Sequence, residues 1–216
     1  MLAHYEDGTL AEAYRENPDL DLHVFVSQLI LERTGVVVER KPTKTINFAK
    51  IYGAGRAKLA AQMGVDPDTG NRMVDAYESA LPSVKQLQRD VNAVGKRGEY
   101  ITTLGGRRYY SPPAEKDVYG GVRTFEYKLL NYLIQGSSAD QTKEAMRLWW
   151  DRLRQSTNGT RFLLTVHDQL VGCCPRKELK REAAALDEYM REAFTLDVPV
   201  KSDLTVGANF GNMEKA

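Results

Sequence analysis

The chain has 216 residues, 42% of them hydrophobic and 27% charged, enough for a sizeable core in one large or two small domains. Thirty Lys and Arg against 29 Asp and Glu leave a net charge of +1, so a nucleic-acid partner requires cations gathered on one face rather than a basic bulk. No apolar run reaches the roughly 18 residues of a membrane span and no basic-then-apolar leader is visible, which points to the cytoplasm.

From the N-terminus the pattern is helical. Thr9 with Glu12 predicts a capping box ahead of residues 10–16. Residues 21–35 make a second helix stopped by Gly35, and Pro42 sits in the first turn of a third that runs on to Gly53 and Gly55. Asp66 and Pro67 open another, with Met73, Tyr77 and Leu81 on one face. Residues 82–98 repeat the pattern through Val84, Leu87, Val91 and Val94 and stop at Gly98.

The period then changes. Residues 99–111 read as a β-hairpin turning at Leu104, Gly105 and Gly106. From Val122 a long helix is expected to about Gln155, with Thr142, Met146, Trp149 and Leu153 as its core stripe. Residues 161–166 and 170–174 flank His167, Asp168 and Gln169 as a second hairpin. Leu179, Ala183, Leu186, Met190 and Phe194 mark a last amphipathic helix, and Val198, Val200, Ser202, Leu204 and Val206 alternate as a closing strand. The adjacent Cys173 and Cys174 read as buried thiols in a reducing compartment, since vicinal pairs strain a disulfide. The fold class is α+β and helix-dominated, with antiparallel strands toward the C-terminus.

Two features carry chemistry. Asp168 stands among apolar residues, where an unpartnered buried carboxylate costs several kcal/mol. It is either a turn residue at a solvated hairpin tip or a metal ligand. Arg40, Lys44, Phe48 and Tyr52 recur every fourth residue and so form one drifting helical stripe, cationic at its start and aromatic further on. Cations at a helix N-terminus suit phosphate oxygens, and aromatics one and two turns along suit a sugar and a base. Gly53 and Gly55 beyond them permit close approach of a strand. On spacing alone a second reading also fits: a surface helix with its cations in water and both aromatics in the core.

The stretch "RKPTKTINFAKIYGAG" (residues 40–55) resembles motif B of family A DNA polymerases, the Pol I-like group that includes phage-type enzymes. "VHDQ" at 166–169 resembles their motif C, "LNYLIQGSSAD" at 130–140 a palm segment, and "ITTLGGRRYYSP" the hairpin after the fingers. "DLH" at 21–23 and "VGANF" at 206–210 agree as well, so the likeness spans essentially the whole chain in the family's order.

The resemblance implies a helix-dominated fingers domain at 21–122, part of an antiparallel palm at 123–216, and an entry segment at 1–20. It implies that His23, Arg40 and Lys44 bind the triphosphate of an incoming dNTP, with Lys44 protonating the pyrophosphate. Phe48 would stack on the nucleotide and disfavour chain terminators, and Tyr52 would close over the nascent base pair. Gly53, Asn131, Gln135 and Gln169 would contact the DNA primer-template, His167 the primer terminus, and Asp168 magnesium (Mg2+). Gln169 stands where glutamate is usual in motif C, and Tyr127, beside Lys128, where many relatives carry arginine.

Two-ion phosphoryl transfer needs a second carboxylate. In the family it lies in motif A, which should end just before "MLAHY", and Glu6 and Asp7 are poor substitutes. The expectation is therefore a split or truncated enzyme, inactive as this chain alone and completed by a second polypeptide. That polypeptide would meet an open sheet edge beside the hairpin at 167–168. The alternative is a non-catalytic remnant that binds nucleotide and DNA.

Overall fold

The structure, a computed structural model, describes residues 1–116 and 120–215. The chain forms two bodies, Met1–Gly136 and the remainder from Ser137.

The first body opens with α1 (Leu2–Glu6) and α2 (Thr9–Glu16). The expected capping box at Thr9 is absent: Gly8 is the N-cap and Thr9 already lies inside the helix. Glu6 takes over the capping role. Its carboxylate accepts from the backbone N–H groups of Gly8 at 3.0 Å, Leu10 at 3.2 Å and Ala11 at 3.4 Å, and the Ser83 hydroxyl donates to its other oxygen. Glu6 is buried, and a buried carboxylate must find donors, which the first turn of a helix supplies.

Helix α3 (Leu22–Thr34) starts at Asp21, whose side chain accepts from His23 and Val24 N–H, and ends at left-handed Gly35. Helix α4 (Arg40–Tyr52) ends at Gly53, with φ 69°, three residues before α5 (Arg56–Met63). The helix thus stops at the first of the two glycines, and α5 is a further short helix that the sequence pattern did not mark out. A Cβ at Gly53 would run into the Tyr127 ring, so this position requires glycine on two counts. Helix α6 (Pro67–Ala80) begins as expected at Asp66, and α7 (Pro82–Lys96) follows directly. Helices α3, α4, α5 and α6 pack in succession, and Val26, Ile30, Ile46, Leu59, Val74 and Tyr77 fill the interior.

One ionic cluster ties four of these helices together, α4, α5, α6 and α7. Glu78 on α6 accepts from Lys50 of α4 at 2.7 Å and pairs with Lys85 of α7 at 2.8 Å, with Arg56 3.7 Å away. Burial pushes the Glu78 carboxyl up, but hydrogen bonds and charge from Lys50 and Lys85 outweigh it and bring it down to about 2.

The hairpin of β1 (Tyr100–Thr102) and β2 (Arg108–Tyr110) forms in the expected place. A smaller pair follows, β3 (Glu115–Lys116) with β4 (Val122–Arg123). Val122 therefore belongs to a strand, and α8 (Lys128–Arg154) starts six residues later than its periodicity predicts. The backbone of Val122 is already committed to its ladder with Lys116.

In the second body Ala145, Trp149 and Leu153 of α8 pack on Leu170, with Met146, Phe162, Leu186, Tyr189 and Met190 around them. The hairpin β5 (Arg161–Val166) and β6 (Gln169–Cys173) forms with a register shift between Phe162 and Leu164. Helix α9 (Leu179–Glu192) ends before Phe194. The closing strand shrinks to β7 (Thr205–Gly207) paired with β8 (Met213–Lys215), because residues 198–204 find no ladder partner among the described residues.

The cysteines correct another expectation: Cys173 is exposed and Cys174 only half-buried, where desolvation pushes its thiol up. Gly172 lies against Trp149, so strand alternation turns Cys173 to the opposite, solvated face. Among the described residues no helix is long and apolar enough to cross a membrane.

Replacing Glu78 with Ala strands two ammonium groups, and should lower stability by about 2–3 kcal/mol. The carboxylate is depressed in the fold, so its contribution is complete above about pH 4.5 and disappears as pH falls toward 2. Chemical denaturation of wild type and Glu78→Ala across that window should show the two curves converging at the acid end.

Candidate nucleotide and nucleic-acid site

Helix α4 is two-sided. Thr43, Ile46, Asn47 and Ala49 are buried, whereas Arg40 and Lys44 are exposed, as are Phe48 at 45% and Tyr52 at 53%. Both aromatics thus stand in solvent beside their cations, and the alternative that tucks them into the core is ruled out. Over 12 residues the stripe extends about 18 Å along the helix axis. Lys44 Nζ lies 5.9 Å from the Phe48 ring centroid, and the His23 ring 5.9 Å from it on the other element.

The start of the stripe is built from two helices. Arg40 donates from Nε at 3.1 Å and Nη2 at 2.7 Å to one oxygen of Asp21, while the other oxygen caps α3. The Arg40 hydrogen bond, aided by the backbone N–H groups, holds the Asp21 carboxyl down at about 2. Arg40 is thereby oriented through one edge, and Nη1 is left out of that pair.

The Asn47 amide nitrogen donates to His23 Nδ1 at 2.9 Å. That bond makes Nδ1 the acceptor and leaves the ring proton on Nε2. Burial lowers the His23 pKa, with Arg40 and Lys44 adding to the effect and Asp21 opposing it, so the imidazole is neutral at pH 7. The first turn of α4 carries no acid, and its N-cap Glu39 makes no side-chain capping bond. Cations at that end oppose the helix dipole, and an anion there relieves both.

Further along the same body, Asn131 is half-buried and Gln135 exposed, one turn apart on α8. Asn131 Nδ2 has no hydrogen-bond partner among the described residues, which is costly for a buried donor unless something else supplies an acceptor. Gly136 next to them touches the β1–β2 hairpin: a Cβ there would come 2.7 Å from Thr103, and Arg107 donates to the Gly136 carbonyl at 2.7 Å.

In the second body His167 and Asp168 are the two turn residues between β5 and β6, with Val166 paired to Gln169. Asp168 is exposed at the hairpin tip, a position compatible both with a solvated turn and with a metal ligand. His167 has φ 53°, in the left-handed region that a side chain adopts at a cost. Sequence reasoning gave no hint of this, because histidine is not a turn signal. Strand β5 pairs only with β6 among the described residues, and Leu163, Leu164 and Val166 are exposed along it. No three His, Cys, Asp or Glu side chains gather as a metal site among those residues. Asp168 fits a magnesium site as one carboxylate of a set, since that ion keeps waters and phosphate oxygens as its other ligands.

Comparison with known proteins decides the family. The family model for DNA polymerase family A matches residues 1–212. The chain belongs to DNA polymerase family A. Its relatives include DNA polymerase I of Bacillus caldotenax, 33% identical over 215 residues, and of Geobacillus stearothermophilus, 34% identical over 212. The thermostable DNA polymerase I of Thermus aquaticus is 29% identical over 212 residues. These alignments take in 96–97% of the chain and 24–25% of each relative, so the chain spans about a quarter of their length. A solved structure described as the POL domain of Pol1 from M. smegmatis in complex with DNA primer-template and dNTP superposes with a TM-score of 0.78 at 28% identity. That superposition covers 93% of this chain and 36% of the other. Helix-rich architecture with small antiparallel sheets is thus the architecture of a family A polymerase domain.

The strain at His167 gives a measurable consequence. Replacing it with Gly removes the left-handed penalty, so thermal unfolding should show stability unchanged or raised by up to about 1 kcal/mol despite the lost side chain. A fall of more than about 1 kcal/mol would mean that the imidazole holds the hairpin together.

Proposed function

We propose that these residues are the fingers (21–122) and C-terminal palm (123–216) of a template-directed DNA polymerase, with 1–20 as an entry segment. The observation that carries this reading is the solvent-facing stripe of α4, cationic at the helix N-terminus and aromatic beyond, over a fully buried opposite face.

In this reading the dNTP triphosphate lies along His23, Arg40 and Lys44. Neutral His23 donates from Nε2, Arg40 from the edge that Asp21 leaves available, and Lys44 supplies a mobile ammonium. The primer 3′-hydroxyl gives its proton to water as its oxygen bonds to the α-phosphorus, the bond to pyrophosphate breaks, and Lys44 hands a proton to that leaving oxygen. Phe48 stacks on the nucleotide and selects against missing 3′-hydroxyls, and Tyr52 covers the nascent base pair. Gly53, Asn131, Gln135 and Gln169 contact the primer-template, with Asn131 Nδ2 finding its missing acceptor there. His167 steadies the primer terminus, and Asp168 holds Mg2+. When bound, the two ions neutralise the charge that develops on the transferred phosphoryl group.

A second carboxylate for those ions comes, in this proposal, from a strand outside these residues, carried by the same polypeptide or by a second one. The free edge of β5 and its exposed Leu163, Leu164 and Val166 support this, since an unpaired apolar strand is a template for another chain.

Primer extension with magnesium tests the whole. The chain alone should give no extension, and adding the N-terminal polymerase portion should restore it. Lys44→Ala and Asp168→Asn in that mixture should each lower the rate at least about a hundredfold. A mixture of two folded halves that stays inactive refutes the split-enzyme reading. Salt-sensitive DNA binding without synthesis in either condition would instead assign the chain to a non-catalytic remnant.

A further inference from the structure

The β1–β2 hairpin has one face fastened and one face bare. Its register pairs Tyr100 with Tyr110, Ile101 with Tyr109 and Thr102 with Arg108. Strand alternation therefore puts Ile101 and Tyr109 on one side and Tyr100, Arg108 and Tyr110 on the other. The first side is anchored: Ile101 is buried, and the Tyr109 ring lies 5.3 Å from Tyr132 and 5.7 Å from the Arg107 guanidinium. Arg107 in turn donates to the Gly136 carbonyl. This fastening makes the hairpin a fixed support.

The second side carries two tyrosines in mutual contact, 5.4 Å between centroids and 63° between planes, with Tyr100 39% and Tyr110 57% exposed. The Arg108 guanidinium lies over the Tyr100 ring at 4.6 Å. Arg108 is exposed and has no carboxylate partner among the described residues. The surroundings are cationic as well. Residues 96–128 contain seven Lys and Arg against four Asp and Glu, a surplus of three in a chain whose net charge is +1.

Exposed aromatic faces with a cation that no carboxylate pairs among the described residues, in a locally basic segment, match one ligand chemistry. Base planes stack on tyrosine whatever their identity, and the guanidinium meets the phosphodiester between them. Duplex DNA does not satisfy this surface, because its base faces are already covered by their neighbours. We propose that the Tyr100, Arg108 and Tyr110 face of the hairpin binds single-stranded DNA. The site lies on elements other than α4 and does not depend on the nucleotide reading of that helix.

The test is fluorescence anisotropy of a labelled oligodeoxythymidylate of about 12 nucleotides with the whole chain over a salt series. Wild type should bind it with an affinity that falls as salt rises. The Tyr100→Ala, Tyr110→Ala double variant should bind about tenfold or more weakly, and the corresponding double Phe variant should stay within about twofold of wild type. Arg108→Ala should weaken binding and reduce the salt slope by about 0.7. Lys44→Ala should leave oligonucleotide binding unchanged while abolishing binding of dNTP, which separates this site from the proposed nucleotide site. Wild-type affinity in a folded double Ala variant overturns the proposal. So does an equal loss in the double Phe variant, or a loss of duplex binding in the double Ala variant as large as its loss of single-strand binding.

Discussion

Thr43 and Ile46 have no accessible surface, and the rest of the first body is arranged around that burial. At about 100° per residue, Thr43, Ile46, Asn47, Ala49 and Lys50 occupy one half of α4, and Arg40, Lys44, Phe48 and Tyr52 occupy the other. Packing the first half against α3 and α5 leaves the second no choice but solvent. The arrangement has a cost, because Lys50 falls on the buried half. An ammonium there without a partner would lose several kcal/mol of hydration, and Glu78 offsets this by reaching it from α6. The same carboxylate takes Lys85 from α7, so the demand of one residue on α4 fixes the mutual positions of three helices.

The N-terminal end of α4 follows a different logic. Here charge is kept near water and only oriented. Asp21 divides its two oxygens between capping α3 and holding Arg40, which couples the start of one helix to the start of the next. An exposed pair of this kind contributes little to stability. Its effect is geometric: His23, two residues beyond Asp21, is brought within reach of Asn47 and Phe48 of α4. Neutral imidazole, guanidinium and ammonium thus form a graded set of donors on two helix starts, suited to an extended polyanion more than to a point charge.

How much of this was readable in the residues depended on the range of the interaction. Helix ends set by local chemistry, such as Gly35, Asp66 and Gly98, stand where capping rules put them, and the four-residue stripe needed only periodicity. Local rules failed where a distant group decided. Thr9 lost the capping role to Glu6 because Glu6 is buried and also bound by Ser83, 77 positions away. The break after Tyr52 depends partly on Tyr127 lying against Gly53. Cys173 turned outward because Gly172 makes room for Trp149. Short apolar alternation misled at 198–204, which pairs with no strand among the described residues, since a strand is defined by its partner.

The second body shows the same dependence on partners at the level of chemistry. Asp168 lies exposed at a two-residue turn whose other member, His167, is held in a left-handed conformation. Hydrated on its own, one carboxylate has little hold on magnesium, which gives up its waters reluctantly and is retained through a set of oxygens that includes substrate phosphates. The tight two-residue turn between Val166 and Gln169 demands that conformation, so the ladder on either side of it offsets the strain at His167. The strained turn residue, the exposed carboxylate and a β5 edge that pairs with no further strand among the described residues all belong to one hairpin. On the proposed reading, this hairpin is prepared for groups that arrive from outside it, the nucleotide's phosphates on one side and a further strand with its carboxylate on the other.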